Sequence, residues 1–66
     1  MKKAQEIGSG FETTMAQAAD AARVHGKPAT VGRHWLSPRR YQWAIRFDAV
    51  PVTFDDGTRF EPVATA

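Results

Sequence analysis

A chain of 66 residues with a formal net charge of +2 and no cysteine has room for one small domain and no covalent staple. Disulfide scaffolds and thiolate metal centres are excluded. No apolar run approaches the roughly 20 residues that cross a bilayer. The start "MKKAQEIGSG" carries two lysines with no apolar stretch behind them, so no secretory signal is read there. The expectation is a cytoplasmic protein without a membrane partner, folded as one domain over residues 1–66.

In chain order, "KKAQEI" is a candidate strand ahead of the first clear element. That element is a helix over about residues 10–25. Ser9 followed three residues later by Glu12 reads as a capping box. Gly26 suits a left-handed end, and Pro28 prevents resumption. Phe11, Met15, Ala18, Ala22 and His25 fall on one face, which Ala19 widens. Most of this stripe is alanine, so the helix can lie close to a sheet but brings little bulk.

The bulk comes from strands expected at about 29–36, 41–47, 50–54 and 58–63. "YQWAIRF" alternates strictly, with Tyr41, Trp43, Ile45 and Phe47 on one face. Ahead of it, "ATVGRHWL" places Val31, Arg33 and Trp35 on a common face. Parity then sets the register, because a slip of one residue reverses every side chain. A three-residue loop, Ser37-Pro38-Arg39, pairs Leu36 with Arg40, Trp35 with Tyr41, Arg33 with Trp43 and Val31 with Ile45. "FDDGT" suits a type I turn with Gly57 left-handed in a bulge, pairing Phe54 with Thr58, Val52 with Phe60 and Val50 with Pro62. Residues 48–49 read either as a tight turn, with Ile45 opposite Val52, or as a bulge in one long strand. The fold class is α+β, one N-terminal helix packed on a three- to four-stranded antiparallel sheet.

Charge is uneven along the chain. Residues 1–22 sum to −1, residues 23–46 to +6 with no acid, and residues 47–66 to −3. A basic block interleaved with aromatic residues is the usual footprint of an anionic partner. On the alternation above, Trp35, Tyr41 and Trp43 face the helix and build the core. Arg33 falls among them, either over the Trp43 ring or snorkelling to the edge. The opposite face carries Thr30, His34, Gln42 and Arg46 around a Gly32–Ala44 centre, and Arg39 and Arg40 extend it at the hairpin tip. That polar, flat face is the expected interface, and the expected partner-binding residues are its His34, Gln42 and Arg46, Arg39 and Arg40 at the tip, and Arg33 from the other face.

Nothing points to catalysis or a cofactor. His25 and His34 are the only histidines and lie in no metal or triad spacing. His25 suits the last helical turn, and His34 reads as a solvent-side strand residue. Asp55 and Asp56 are turn formers without the further oxygen ligands of a calcium loop. "GSG" lacks the longer glycine frame of a phosphate loop.

The capped helix "SGFETTMAQAADAARVHG" followed by the hairpins "WLSPRRYQW" and "TFDDGTRF" is similar, in length and element order, to small accessory proteins of phages and mobile elements, anti-CRISPR inhibitors among them. The resemblance is one of build. It implies a non-enzymatic protein that occupies a surface of a host protein or nucleoprotein complex through Arg39, Arg40 and Arg46. Two further readings stand beside it. One is sequence-independent nucleic-acid binding, with Lys27, Arg33 and His34 joining the phosphate contacts. That reading turns on whether the basic residues share one exposed face with Trp35. The other is a dimerising structural or regulatory module, since a small core and an open sheet edge invite a homodimer.

Overall fold

The computed structural model describes the backbone of residues 5–7 and all of residues 10–66. One helix packs on an antiparallel sheet. The elements are β1 (Gln5–Ile7), α1 (Phe11–His25), β2 (Thr30–Ser37), β3 (Arg40–Arg46), β4 (Val52–Thr53) and β5 (Arg59–Thr65). Strands β2 to β5 form the body of the sheet, and the short β1 adds a fifth strand at one edge, in the order β1-β3-β2-β5-β4. No helix among the described residues is long and apolar enough to cross a membrane.

Helix α1 starts from Gly10, which has no side chain to cap it. The capping box on Ser9 lies outside the described residues. Inside the first turn, Thr14 is fully buried, and both its amide (3.0 Å) and its hydroxyl (2.9 Å) donate to the Gly10 carbonyl. Gly26, at φ 68°, ends the helix, with its amide on the Ala22 carbonyl at 2.9 Å. Ala18 is buried with Ala29, Val31 and Ile45, and Phe11, Met15, Ala21, Ala22 and Trp43 pack around them. The stripe is therefore widened by Thr14 and Ala21, while Ala19 faces solvent. His25 is exposed and packs edge-on with Phe47, their ring centres 5.0 Å apart.

The β2–β3 register places Trp35 opposite Tyr41, Arg33 opposite Trp43 and Val31 opposite Ile45. The turn itself differs from the expected three-residue loop. Ser37 pairs with Arg40, and Leu36 is left as the extra residue of a bulge. One bulged residue plus a two-residue turn keeps the parity that the apolar faces demand. In the second hairpin the Phe54 amide donates to the Thr58 carbonyl at 2.8 Å, and Val52 pairs with Phe60. Gly57 sits there at φ 86°, a conformation that side chains rarely tolerate.

The connection at residues 48–49 is neither a tight turn nor a bulge. Ile45 does not meet Val52, because the free edge of β3 is taken by β1, with Gln5 opposite Ile45 and Ile7 opposite Trp43. Residues 47–51 instead carry the chain to the far edge of the sheet, and β5 returns beside β2. The long β2–β5 ladder outweighs what a two-residue β4 could form against β3.

This topology covers much of the face away from the helix. Phe60 (1% exposed) and His34 (1%) lie beside Ala44 (0%) and Thr30 (3%). The Phe60 ring occupies the space above Gly32, where a β-carbon would stand 2.5 Å from the ring and 2.3 Å from the Glu61 carbonyl oxygen. The Arg46 guanidinium lies over Phe54 (5.3 Å) and Phe60 (5.8 Å) and donates twice to Asp48 at 3.0 Å. The sheet thus has a core on both faces, one under an alanine-rich helix and one under two phenylalanines.

Those two hydrogen bonds from Arg46 hold the Asp48 carboxyl below its ordinary value of 3.8. A depressed carboxylate adds stability above its unfolded pKa and loses it as pH falls through the folded one. Wild type is accordingly expected to melt a few degrees above Asp48→Asn at neutral pH. The two should converge in acid. Melting curves over a pH series check this, and a gap that persists in acid would contradict it.

Candidate binding surface

The expected binding residues do not share one face. His34 is buried. Its Nε2 lies 2.9 Å from the Thr58 hydroxyl, which donates to Asp56 at 2.6 Å, and its ring packs edge-on with Phe54, the ring centres 5.5 Å apart. The solvent-side reading of His34 is thus corrected, for Phe60, Phe54 and Thr58 cover it. The Thr58 hydroxyl is spent on Asp56 and can only accept from His34. The chain of bonds therefore ties the 55–57 turn to β2 and presents no activated nucleophile. Arg46 belongs to the same covered face, with its side chain 18% exposed and paired to Asp48. Gln42 is exposed opposite His34. Arg39 and Arg40 are exposed at the hairpin tip. Arg33 lies on the helix side, over Trp43 (5.2 Å) and Tyr41 (5.4 Å). Among the described residues no group of acidic, histidine or cysteine side chains is placed to hold a metal.

What the fold brings together instead is the distal half of the helix-side face. Four rings run across it. Phe11 meets Trp43 at 4.9 Å, Trp43 meets Tyr41 at 5.5 Å, and Tyr41 meets Trp35 at 4.9 Å. The first two pack at the helix. Tyr41, at 42% exposed, and half-buried Trp35 extend beyond it. Because β5 pairs with β2, Arg59 lies opposite Trp35 and Glu61 opposite Arg33. Arg59 sits over the Trp35 ring at 5.4 Å. Arg33 donates to Glu61 at 3.0 Å, a bond that raises its already high pKa and keeps the guanidinium charged.

Two turns close this end. The β2–β3 tip carries Arg39 and Arg40, and the 55–57 turn carries Asp55 and Asp56, side by side because β2 and β5 are antiparallel neighbours. A notch of about 150 Å³ between them is lined by Trp35, Ser37, Pro38, Gly57 and Arg59. Arg39, Arg40 and Arg59 have no acidic partner among the described residues, in contrast to Arg23, Arg33 and Arg46. The Trp35 Nε1 is buried and finds no acceptor among the described residues. Leu36 adds an exposed apolar side chain at the bulge.

Sequence reasoning placed Trp35 at a candidate surface only in the nucleic-acid reading, and it left Tyr41, Arg59 and Glu61 out of every candidate surface. The signal that finds them is the Gly32–Ala44 pair, a place on the sheet without side-chain bulk where a ring fits. Reading it with Phe54 and Phe60 assigns those rings to the second face, and alternation along β5 then turns Arg59 and Glu61 to the helix side. No family model, curated protein or solved structure matches this chain.

Proposed function

We propose that this chain is a small non-enzymatic binding protein of the cytoplasm that acts by occupying a surface of another protein. The mixed-charge, aromatic end of the sheet carries this reading. Tryptophan, tyrosine and arginine are the residue types that dominate protein interfaces. Here Trp35, Tyr41, Arg39, Arg40 and Arg59 are gathered at one end, and Trp35, Tyr41 and Arg59 are already held in place by their mutual contacts. Acids are interspersed at Asp55, Asp56 and Glu61, which suits a partner bearing both signs of charge. Steric inhibition of a host protein or nucleoprotein complex, as in the small phage and anti-CRISPR proteins of similar build, is the form of action that a chain of this size supports.

Sequence-independent nucleic-acid binding is the second reading, favoured by three arginines without acidic partners near one another. Two observations weigh against it. The rings that would stack bases already lie under guanidinium groups. The neighbouring carboxylates repel a phosphate backbone.

Arg39→Ala combined with Arg40→Ala is expected to leave stability within about 0.5 kcal/mol, as for most surface changes. Partner affinity should fall roughly thirtyfold or more, the scale of a lost arginine anchor. Capture from a lysate of expressing cells, with wild type and double variant as matched baits, checks both arms. A protein retained by wild type and lost from the folded variant is the expected result. Retention that disappears on nuclease treatment would transfer the surface to nucleic acid.

A further inference from the structure

We infer that the same end of the molecule pairs two copies of this chain head to head, the arginine tip of each against the aspartate turn of the other. The inference rests on the reading of this end as a protein-docking surface and names one occupant for it. The basic tip (Arg39, Arg40) and the acidic turn (Asp55, Asp56) lie side by side, both exposed. A twofold axis along the sheet normal at this end exchanges left with right. It therefore sets each tip against the other copy's turn, which is the self-complementarity that a closed dimer requires. For the same end-to-end contact, an axis lying in the sheet plane across the strand ends would set tip against tip, and like charges oppose it. The charge pattern thus selects one arrangement. Leu36 (39% exposed) and Tyr41 (42% exposed) supply apolar area beside the charges. The notch lined by Trp35, Pro38 and Gly57 gives the end a concave wall.

An interface of this extent belongs to the small, transient class. Self-association is expected on the order of 100 µM at low salt, weakening as salt screens the exposed pairs. While two copies are joined, Arg39 and Arg40 are covered, so dimerisation competes with any other partner at this end.

Sedimentation equilibrium over a concentration series tests this with two variants of opposite design. Arg39→Asp with Arg40→Asp makes both turns acidic. Asp55→Arg makes the end mainly basic and leaves Asp56, whose carboxylate holds Thr58, in place. Circular dichroism reports folding, and the neutral changes Arg40→Gln and Asp55→Asn carry the same test where reversal disturbs it. Wild type should associate, each reversed variant about tenfold or more weakly, and an equimolar mixture of the two should form a 1:1 heterodimer. A wild type that stays monomeric throughout, variants that associate like wild type, or a mixture that stays monomeric would each overturn the inference. Capture of a partner through Arg39 and Arg40 is read independently, so failure of the dimer and failure of the docking surface are separable.

Discussion

Gly32→Ala is expected to abolish cooperative folding or leave a barely stable domain. The added methyl would stand 2.3 Å from the Glu61 carbonyl oxygen and 2.5 Å from the Phe60 ring. The first of these is backbone in the β2–β5 ladder and cannot swing aside. The second is a ring only 1% exposed, locked among buried neighbours. Overpacking of this kind commonly costs about 1–3 kcal/mol and more where backbone must move. A chain of this size has a total stability of only roughly 3–10 kcal/mol. Relief requires β5 to peel from β2, which also exposes Phe60 and His34. Urea denaturation followed by circular dichroism checks the result. A Gly32→Ala variant that unfolds with wild type would mean that Phe60 does not lie on Gly32, and the second core would be wrong.

Trp43→Ala is the second large effect, at roughly 3–5 kcal/mol. Trp43 joins the helix to the sheet, with Phe11 on one side, Tyr41 on the other and Arg33 above it. Helix α1 offers mainly alanine to the core, so it brings little bulk to fill the space. Trp43→Phe keeps a ring for Phe11 to pack against and should lose much less. Thermal melting of the two variants distinguishes a packing role from a surface one. A fully stable Trp43→Ala would place the ring outside the core and reverse the assignment of faces.

Much of this was legible in the sequence, and the reasons are specific. Strict alternation in "YQWAIRF" fixed which residues share a face, and the β2–β3 register followed from parity alone. That held although the turn proved to be Pro38-Arg39 with a bulge at Leu36. The Gly57 turn was legible because its conformation admits few residues. The strand order was not. Local pattern says which strands can form a hairpin but not which edges remain free, and β1 claims the edge of β3 that β4 would otherwise meet. The misreading of the second face followed. Thr30, His34, Gln42 and Arg46 looked like an open polar surface until the return of β5 put Phe60 over Gly32 and left His34 under cover. Arg33, Arg39 and Arg40 were recognisable as candidates from charge alone, whereas Arg59 joins them only through the β2–β5 ladder.

The proposed docking role of this end is tested most directly by titrating labelled single- and double-stranded DNA and RNA at ~50 mM and ~200 mM salt. Three arginines acting as phosphate contacts would lose roughly fortyfold in affinity between those two conditions. A protein-docking end flanked by Asp55, Asp56 and Glu61 predicts no saturable binding at either salt concentration. Tight binding at low salt that collapses at the higher concentration, and that disappears with Arg39→Ala and Arg40→Ala, would contradict it and make the surface a phosphate grip.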